Sequence, residues 1–263
     1  MRRWNGWGDE STSMNLGEGA RAMLAQRLGL GQPRQDAKRE DLLPRIPASR
    51  LLEHPLIQHD ASSRLAVGLG ESYADWIRKR FGQLPPVPDG VAFPESGEQV
   101  RTLLDLAHSQ RWIVIPFAGG TSVSGHLDCP LSERPILSVN LTRMNRLLHL
   151  DKTSLLATFG AGTPGQQVEA QLRAQGYTLG HFPQSFEYST VGGWVVTRSS
   201  GQQSLRYGRI EQLFAGGRME TPVGPLVLPT LPAASAGPDL REIVLEGIGK
   251  KLMEALIQEA ESN

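Results

Sequence analysis

From Trp112 to Leu127 the chain reads Trp-Ile-Val-Ile-Pro-Phe-Ala-Gly-Gly-Thr-Ser-Val-Ser-Gly-His-Leu: a β-branched apolar run, then bare backbone and hydroxyls. Gly119, Gly120 and Gly125 let N–H groups approach an anion closely, and the hydroxyls of Thr121, Ser122 and Ser124 add donors with little bulk. Such a loop can hold a diphosphate where few cationic side chains are on offer. For a Gly-Gly pair alone, an ordinary surface turn is the alternative. Gly120 and Gly125 have P-loop spacing, but His126 and Leu127 stand where Lys and Ser/Thr are required, which excludes a Walker phosphate site. Gly160-Ala161-Gly162-Thr163-Pro164-Gly165 spells G-x-G-x-x-G between a strand-like run (Leu155 to Phe159) and a helix-like one (Val168 to Leu172). A ribose-binding acid should follow about 20 residues on. None lies near Phe182 before Glu187, so this segment is expected to be a strand–turn–helix connection.

The elements that must position these loops follow from local pattern. Leu84 to Gly90, with Pro85, Pro86 and Pro88, reads as a stiff linker and the start of a domain. A short strand is expected at Val91 to Phe93. Ser96 with Gln99 then forms a capping box opening an amphipathic helix whose buried face is Val100, Leu103, Leu104 and Ala107. That helix returns the chain to the Trp112 strand, which is expected to stop at Pro116. Ile136 to Leu141 and Ser154 to Phe159 supply further strands, and Gln166 to Ala174 a helix ended by Gly176. Upstream, helical spacing through Ala20, Met23, Leu24 and Leu28 marks a helix over Leu16 to Leu28 in a region with little visible chemistry. Trp4 and Trp7 are expected to be packing anchors.

Composition limits the partners. The 263 residues carry 27 Lys plus Arg and 27 Asp plus Glu, so no long-range field favours nucleic acid or an acidic membrane surface. A small molecule is the expected partner. The single Cys129 rules out an internal disulfide and suits a reducing cytoplasm. No run is long and apolar enough to span a membrane. Met1-Arg2-Arg3 opens like a signal peptide, but Asn5 to Ser13 is polar, and Glu261-Ser262-Asn263 is not a peroxisomal address. Cytoplasmic localisation is the expectation. His54, His59, His108 and His149 lack a third ligand at usable spacing, so no metal site is expected.

Pro116 to Gly125, read with Pro183 to Trp194 and Thr197 to Ser200, resembles the FAD-binding domain of the vanillyl-alcohol-oxidase (PCMH-type) flavoproteins. Within that superfamily the likeness is greatest to the alkylglycerone-phosphate (alkyldihydroxyacetonephosphate) synthases, whose opening Trp-Asn-Gly-Trp-Gly stands at Trp4 to Gly8 and whose Tyr-Gly-x-Ile-Glu-Gln/Asp-Leu run stands at Tyr207 to Leu213. The resemblance implies an α+β fold: a PCMH-type domain of two small α/β subdomains over residues 86–245, preceded by a helical N-terminal region over 1–85. Residues 246–263 depart from the family and read as a terminal helix.

Carried over position by position, the implied FAD contacts are Pro116, Phe117, Ala118, Gly119, Gly120, Thr121 and Ser122; Gln184, Ser185, Phe186, Glu187, Tyr188, Ser189 and Thr190; and Thr197, Arg198, Ser199 and Ser200. Gln184 stands where the synthases carry Asp, which puts a charge-dependent role there in doubt. Ordinary loop capping is the alternative for Ser189, Thr190 and Ser200. Covalent members of the superfamily place His after the paired glycines. Here that residue is Thr121, so dissociable FAD is expected, with His126 as the alternative tether. Relatives continue into a substrate-binding cap that carries the catalytic residues, so none is assigned here. The resemblance implies the FAD-binding part of a synthase exchanging the acyl chain of acyl-dihydroxyacetone phosphate for a fatty alcohol. The alternatives are an FAD-linked oxidoreductase of a 2-hydroxy acid such as lactate or glycolate, or a non-catalytic remnant. The expected partners are a lipid or hydroxy-acid substrate, with a homodimer or a separate C-terminal half as further possibilities.

Overall fold

The computed structural model describes residues 2–12, 15–31, 35–231 and 237–245. The terminal helix expected beyond Leu245 lies outside them. In chain order come α1 (Glu18–Leu28), α2 (Arg39–Leu42), β1 (Ile57–Gln58), α3 (Ala61–Val67) and α4 (Tyr73–Arg80). Next are β2 (Gly90–Ala92), α5 (Gly97–Ser109), β3 (Ile113–Phe117) and β4 (Ile136–Asn140). The remainder holds β5 (Leu147–Asp151), β6 (Leu156–Phe159), α6 (Gly165–Arg173), α7 (Val191–Val196), α8 (Ser204–Tyr207), α9 (Ile210–Leu213), β7 (Gly217–Thr221), β8 (Gly224–Leu228) and α10 (Arg241–Leu245). The fold is α+β, with helices preceding two lobes.

The first lobe is a four-stranded sheet of order β1-β2-β4-β3, in which β2, β4 and β3 run parallel and β1 is antiparallel. Every residue of β4 is buried, as expected of a strand with neighbours on both edges and both faces. Leu103 and Ala107 of α5 pack with Leu51, Ile57, Ala92, Trp112, Leu137 and Val139. Val67, Val91, Ile115, Phe117, Leu127, Cys129 and Ile136 form a second cluster. Ser96 caps α5 by accepting from the Gln99 N–H at 3.3 Å, but the Gln99 side chain reaches back to the Glu95 N–H rather than to Ser96. The box is therefore half formed.

Two sequence expectations are corrected here. The strand does not stop at Pro116, which pairs with Val139 inside β3; on an edge strand the missing N–H takes nothing from the ladder to β4. The helix over Leu16–Leu28 forms as α1, but none of its residues is buried and Leu28 is 81% exposed, so its apolar positions cover nothing among the described residues. The segment read as linker ends in a locked position. Asp89 is buried and receives the Arg50 guanidinium on both oxygens, at 2.8 and 2.7 Å, and the Ile136 N–H at 2.8 Å.

In the second lobe, Val168 and Leu172 of α6 meet Trp194, Val195, Ile210, Leu228, Val244 and Leu245. The β5–β6 and β7–β8 pairs are both antiparallel hairpins. The lobes touch where Arg101 of α5 donates to the Thr221 carbonyl of β7.

Candidate functional site

The loop leaving β3 is held almost entirely through its carbonyls. Gly119 O accepts from Arg2 Nη1 at 2.6 Å, Ser122 O from the Glu71 N–H at 2.7 Å, and Gly125 O from the Asp128 N–H at 3.2 Å. By contrast, no N–H between Ala118 and Gly125 donates to a backbone carbonyl among the described residues. Backbone donors rarely remain unpaired, so such a run is either solvated or waiting for an acceptor. Gly120 sits at φ 64°, a left-handed conformation that a side chain would strain.

Gly119 matters for a different reason. A Cβ there would lie 2.1 Å from the Tyr188 carbonyl oxygen and 2.9 Å from Ser189 Cα, so two backbones from different lobes are in contact at this point. Beside the contact opens a cleft of about 340 Å³, at the small end of the range for ligand pockets. Ala118 and Gly119 line it from the first lobe, Thr142 and Asn145 from the segment after β4, and Gly162, Pro164 and Gln167 from the turn into α6. Glu187, Tyr188 and Thr190 close the other side, and Arg2 completes it.

The entry to the 180–190 segment is pinned by one buried carboxylate. Glu169, 4% exposed, accepts from the Leu179 and Gly180 N–H groups at 3.0 and 3.1 Å and from Thr178 Oγ1 at 2.7 Å. Further along, Ser189 Oγ donates to Ser185 O at 2.9 Å and receives Trp194 Nε1 at 2.7 Å, which ties the loop to the buried indole of α7. The Val191 and Gly192 N–H groups donate to Thr163 O and Ala161 O at 3.0 and 2.8 Å, clamping the G-x-G-x-x-G turn alongside. That turn joins β6 of an antiparallel pair to α6, a strand–turn–helix connection rather than a Rossmann crossover. It nevertheless forms a cleft wall.

Among the described residues three buried hydroxyl oxygens have no protein partner: Ser138 Oγ inside β4, and two at the site, Thr190 Oγ1 in the cleft and Ser122 Oγ in the glycine loop. Burying a hydroxyl without a hydrogen bond costs about 1–3 kcal/mol, so such pairs mark places where a polar ligand belongs. Together with the bare amides, they fit an anionic, hydroxyl-rich group such as the diphosphate and ribityl portion of a flavin nucleotide.

The residues expected from sequence separate into three sets. Ala118, Gly119, Glu187, Tyr188 and Thr190 line the cleft. Pro116, Phe117, Gly120, Thr121 and Ser122 frame the glycine loop, while Ser185, Phe186 and Ser189 anchor the facing one; Gln184 is exposed. Thr197, Arg198, Ser199 and Ser200 are absent from the cleft lining. The six residues of α7 separate them from Thr190 by about 9 Å of helical rise. There Arg198 pairs with Glu242, and Ser199 Oγ lies 3.1 Å from Nε2 of buried His181, whose pKa burial holds below the usual histidine value. His126 lies 3.4 Å from Ser124 Oγ and is also not part of the lining.

Sequence reading did not find Arg2, Thr142, Asn145, Gly162, Pro164 or Gln167 as cleft residues. Only the glycine pattern at Gly160 to Gly165 carried a signal, and a Cβ at Gly162 would come 1.8 Å from the Leu141 carbonyl oxygen. Among the described residues, no group of three His, Cys, Asp or Glu could hold a metal ion, and no helix is long and apolar enough to cross a membrane.

Comparison with known proteins places residues 88–227 in a family described as FAD binding domain. The alkyldihydroxyacetonephosphate synthase of Dictyostelium discoideum is 38% identical over 193 residues, covering 73% of this chain and 32% of that protein. The synthase of Trypanosoma brucei brucei is 30% identical across 97% of this chain and 47% of its own length. A solved structure of an alkyldihydroxyacetonephosphate synthase matches with a TM-score of 0.80 at 31% identity, covering 94% of this chain and 51% of that one. The chain thus spans between about a third and a half of the length of these relatives.

Proposed function

The chain belongs to the FAD binding domain family, and from that premise we propose that it holds FAD dissociably and acts as the flavin-binding part of an enzyme of the alkyldihydroxyacetonephosphate synthase type. One observation carries the reading: the amides from Ala118 to Gly125 are left without carbonyl partners beside a cleft whose facing wall is built by Tyr188 and Thr190. In it, those amides hold the diphosphate, and Ser122 Oγ and Thr190 Oγ1 gain the partners they lack in the protein. Gly119 and Gly162 keep the walls thin enough for backbone to reach the ligand. Thr121 cannot form the tether that a histidine in its place would, so the flavin leaves with its site intact.

When bound, FAD would supply the reactive ring chemistry that exchange of an acyl chain for a fatty alcohol requires. The contribution proposed for this chain's own residues is orientation: Glu169 and Trp194 fix the 180–190 loop, and Gly119 sets its distance from the glycine loop. Substrate contacts and proton transfer are assigned to a cap segment that relatives of twice the length have room for.

The test is to load the purified chain with FAD, desalt it and record the flavin spectrum, then precipitate with acid. Retained absorbance that passes to the supernatant on precipitation is expected. No retained flavin would sink the reading, and flavin remaining with the precipitate would point to a tether, with His126 as the candidate. Fatty-acid release from acyl-dihydroxyacetone phosphate on adding long-chain alcohol, set against dye bleaching by lactate, then separates synthase from hydroxy-acid oxidoreductase. Neither is expected of this chain alone. Turnover without a supplied cap would overturn the division of labour.

A further inference from the structure

We propose that Arg2 is a flavin-binding residue, its guanidinium supplying the positive charge that meets the diphosphate from beneath the glycine loop; this rests on the FAD reading above. Among the residues lining the cleft, Arg2 is the one Lys or Arg. It is fixed on three sides. Nη1 donates to Gly119 O at 2.6 Å, Nη2 to Glu71 Oε1 at 3.1 Å, and the planar group lies 4.6 Å from the centre of the Tyr188 ring. Trp7 closes on the same ring edge-on at 5.2 Å, so the Arg2–Trp7 stretch straps the two site loops together.

Those contacts use two of the guanidinium's five N–H donors and hold the rest in a preset fork, the geometry that suits phosphate oxygens. The carboxylate that faces Arg2 has a second cation of its own. Glu71, 7% exposed, is shared by Arg2, by Lys79 Nζ at 3.3 Å and by Trp76 Nε1. Arg78 is shared between Asp75 at 3.5 Å and Asp128 at 3.6 Å. Three cations thus meet three carboxylates, and the charge proposed to reach the diphosphate is that of Arg2 itself, the member of this cluster that lines the cleft. The opposing carboxylate in the cleft, Glu187, is exposed and screened by solvent.

The experiment is FAD titration by flavin fluorescence on the wild-type chain, Arg2→Gln and Arg2→Lys, each at low and high salt, with thermal unfolding of each apo protein. Gln keeps a donor for the Gly119 carbonyl but no charge. A charge role requires Arg2→Gln to weaken FAD by about ten-fold to a hundred-fold. Arg2→Lys must lose less, and the gap from wild type must narrow as salt rises. Wild-type affinity in Arg2→Gln overturns the proposal, as does an equal, salt-independent loss in both variants, which would mark a strap and nothing more. Should Arg2→Gln not fold, Glu71→Gln decides: removing that negative charge must tighten FAD binding, and no change overturns the proposal. A wild-type chain that takes up no FAD refutes the flavin reading itself, a result distinct from any of these.

Discussion

Gly119→Ala is the most direct test of how the site is built. The added methyl would stand 2.1 Å from the Tyr188 carbonyl oxygen, with Tyr188 C and Ser189 Cα both at 2.9 Å. All three are backbone atoms, so no flexible side chain can swing away. Relief to an ordinary separation of about 3.5 Å requires the two loops to part by more than about 1 Å. Overpacking of this kind costs about 1–3 kcal/mol. In a chain of this size that corresponds to a fall in Tm of roughly 2–12 °C. The functional effect should be larger than the stability effect, because a 1 Å misplacement of groups that must converge on one ligand can cost about a hundred-fold. The assay is FAD titration beside calorimetry, with Gly125→Ala as the comparison. Gly125 has φ 78° but no close neighbour other than Asp128 at 3.5 Å, so its alanine strains the backbone by about 1 kcal/mol without separating the loops. Weak FAD binding in Gly119→Ala and near-normal binding in Gly125→Ala is the expected result. Equal FAD affinity in Gly119→Ala and wild type would show that the contact between the loops is not part of the cofactor site.

Three further outcomes follow from buried polar groups. Thr190→Val removes a hydroxyl whose Oγ1 has no protein partner, so the apo protein should hold its Tm or gain slightly while FAD binds several-fold more weakly; a loss of apo stability above about 1 kcal/mol would show that the hydroxyl is already satisfied. Burial opposes ionisation of Asp89, but the Arg50 guanidinium and the Ile136 N–H outweigh it and hold the carboxyl below its usual range. Its contribution is therefore present above about pH 4 and lost as pH falls through the lower folded value, so Asp89→Asn should cost about 2 kcal/mol at neutral pH and progressively less in acid, measured by urea unfolding at several pH values. Burial alone depresses His181, so the unfolded chain takes up a proton more readily below about pH 6.5. Stability should fall from there as pH drops toward the folded value, by no more than about 1.4 kcal/mol per pH unit, and His181→Asn should flatten that slope.

What could be read from the chain was what local sequence determines. The Ser96 cap and the spacing of Val100, Leu103, Leu104 and Ala107 describe α5 without reference to anything distant, and the helix lies where they place it. Ile136 to Asn140 is apolar or small throughout because both its faces are covered, which makes a buried strand visible. The strand β7 was missed because Arg218 and Glu220 pair with each other at 2.7 Å on a hairpin with one solvated side, so its sequence, Gly-Arg-Met-Glu-Thr, carries little apolar signal. Strand β5 carries His149 amid leucines, of which Leu148 is 66% exposed, and its alternation is broken by a register shift between Leu147 and His149.

The same division runs through the site. The glycine loop announces itself because the anion-binding role proposed for it needs residue types, small and hydroxylated, that are conspicuous in a row. Its partners do not, because the requirement on Thr142, Asn145, Pro164 and Gln167 is only that their backbone and short polar groups arrive at one place, and arrival is decided by how α6, α7 and β4 pack. Thr197 to Ser200 show the converse. Adjacent in sequence to Thr190, they are carried off by the turns of α7 and spent on Glu242, Leu245 and His181. Arg2 is the extreme case: a basic residue among other polar ones, it acquires a role only because buried Glu71 and the Tyr188 ring hold it against a glycine 117 positions away. The proposed anion site, made of backbone and completed by one distant cation, is legible in its glycines and silent in its charge.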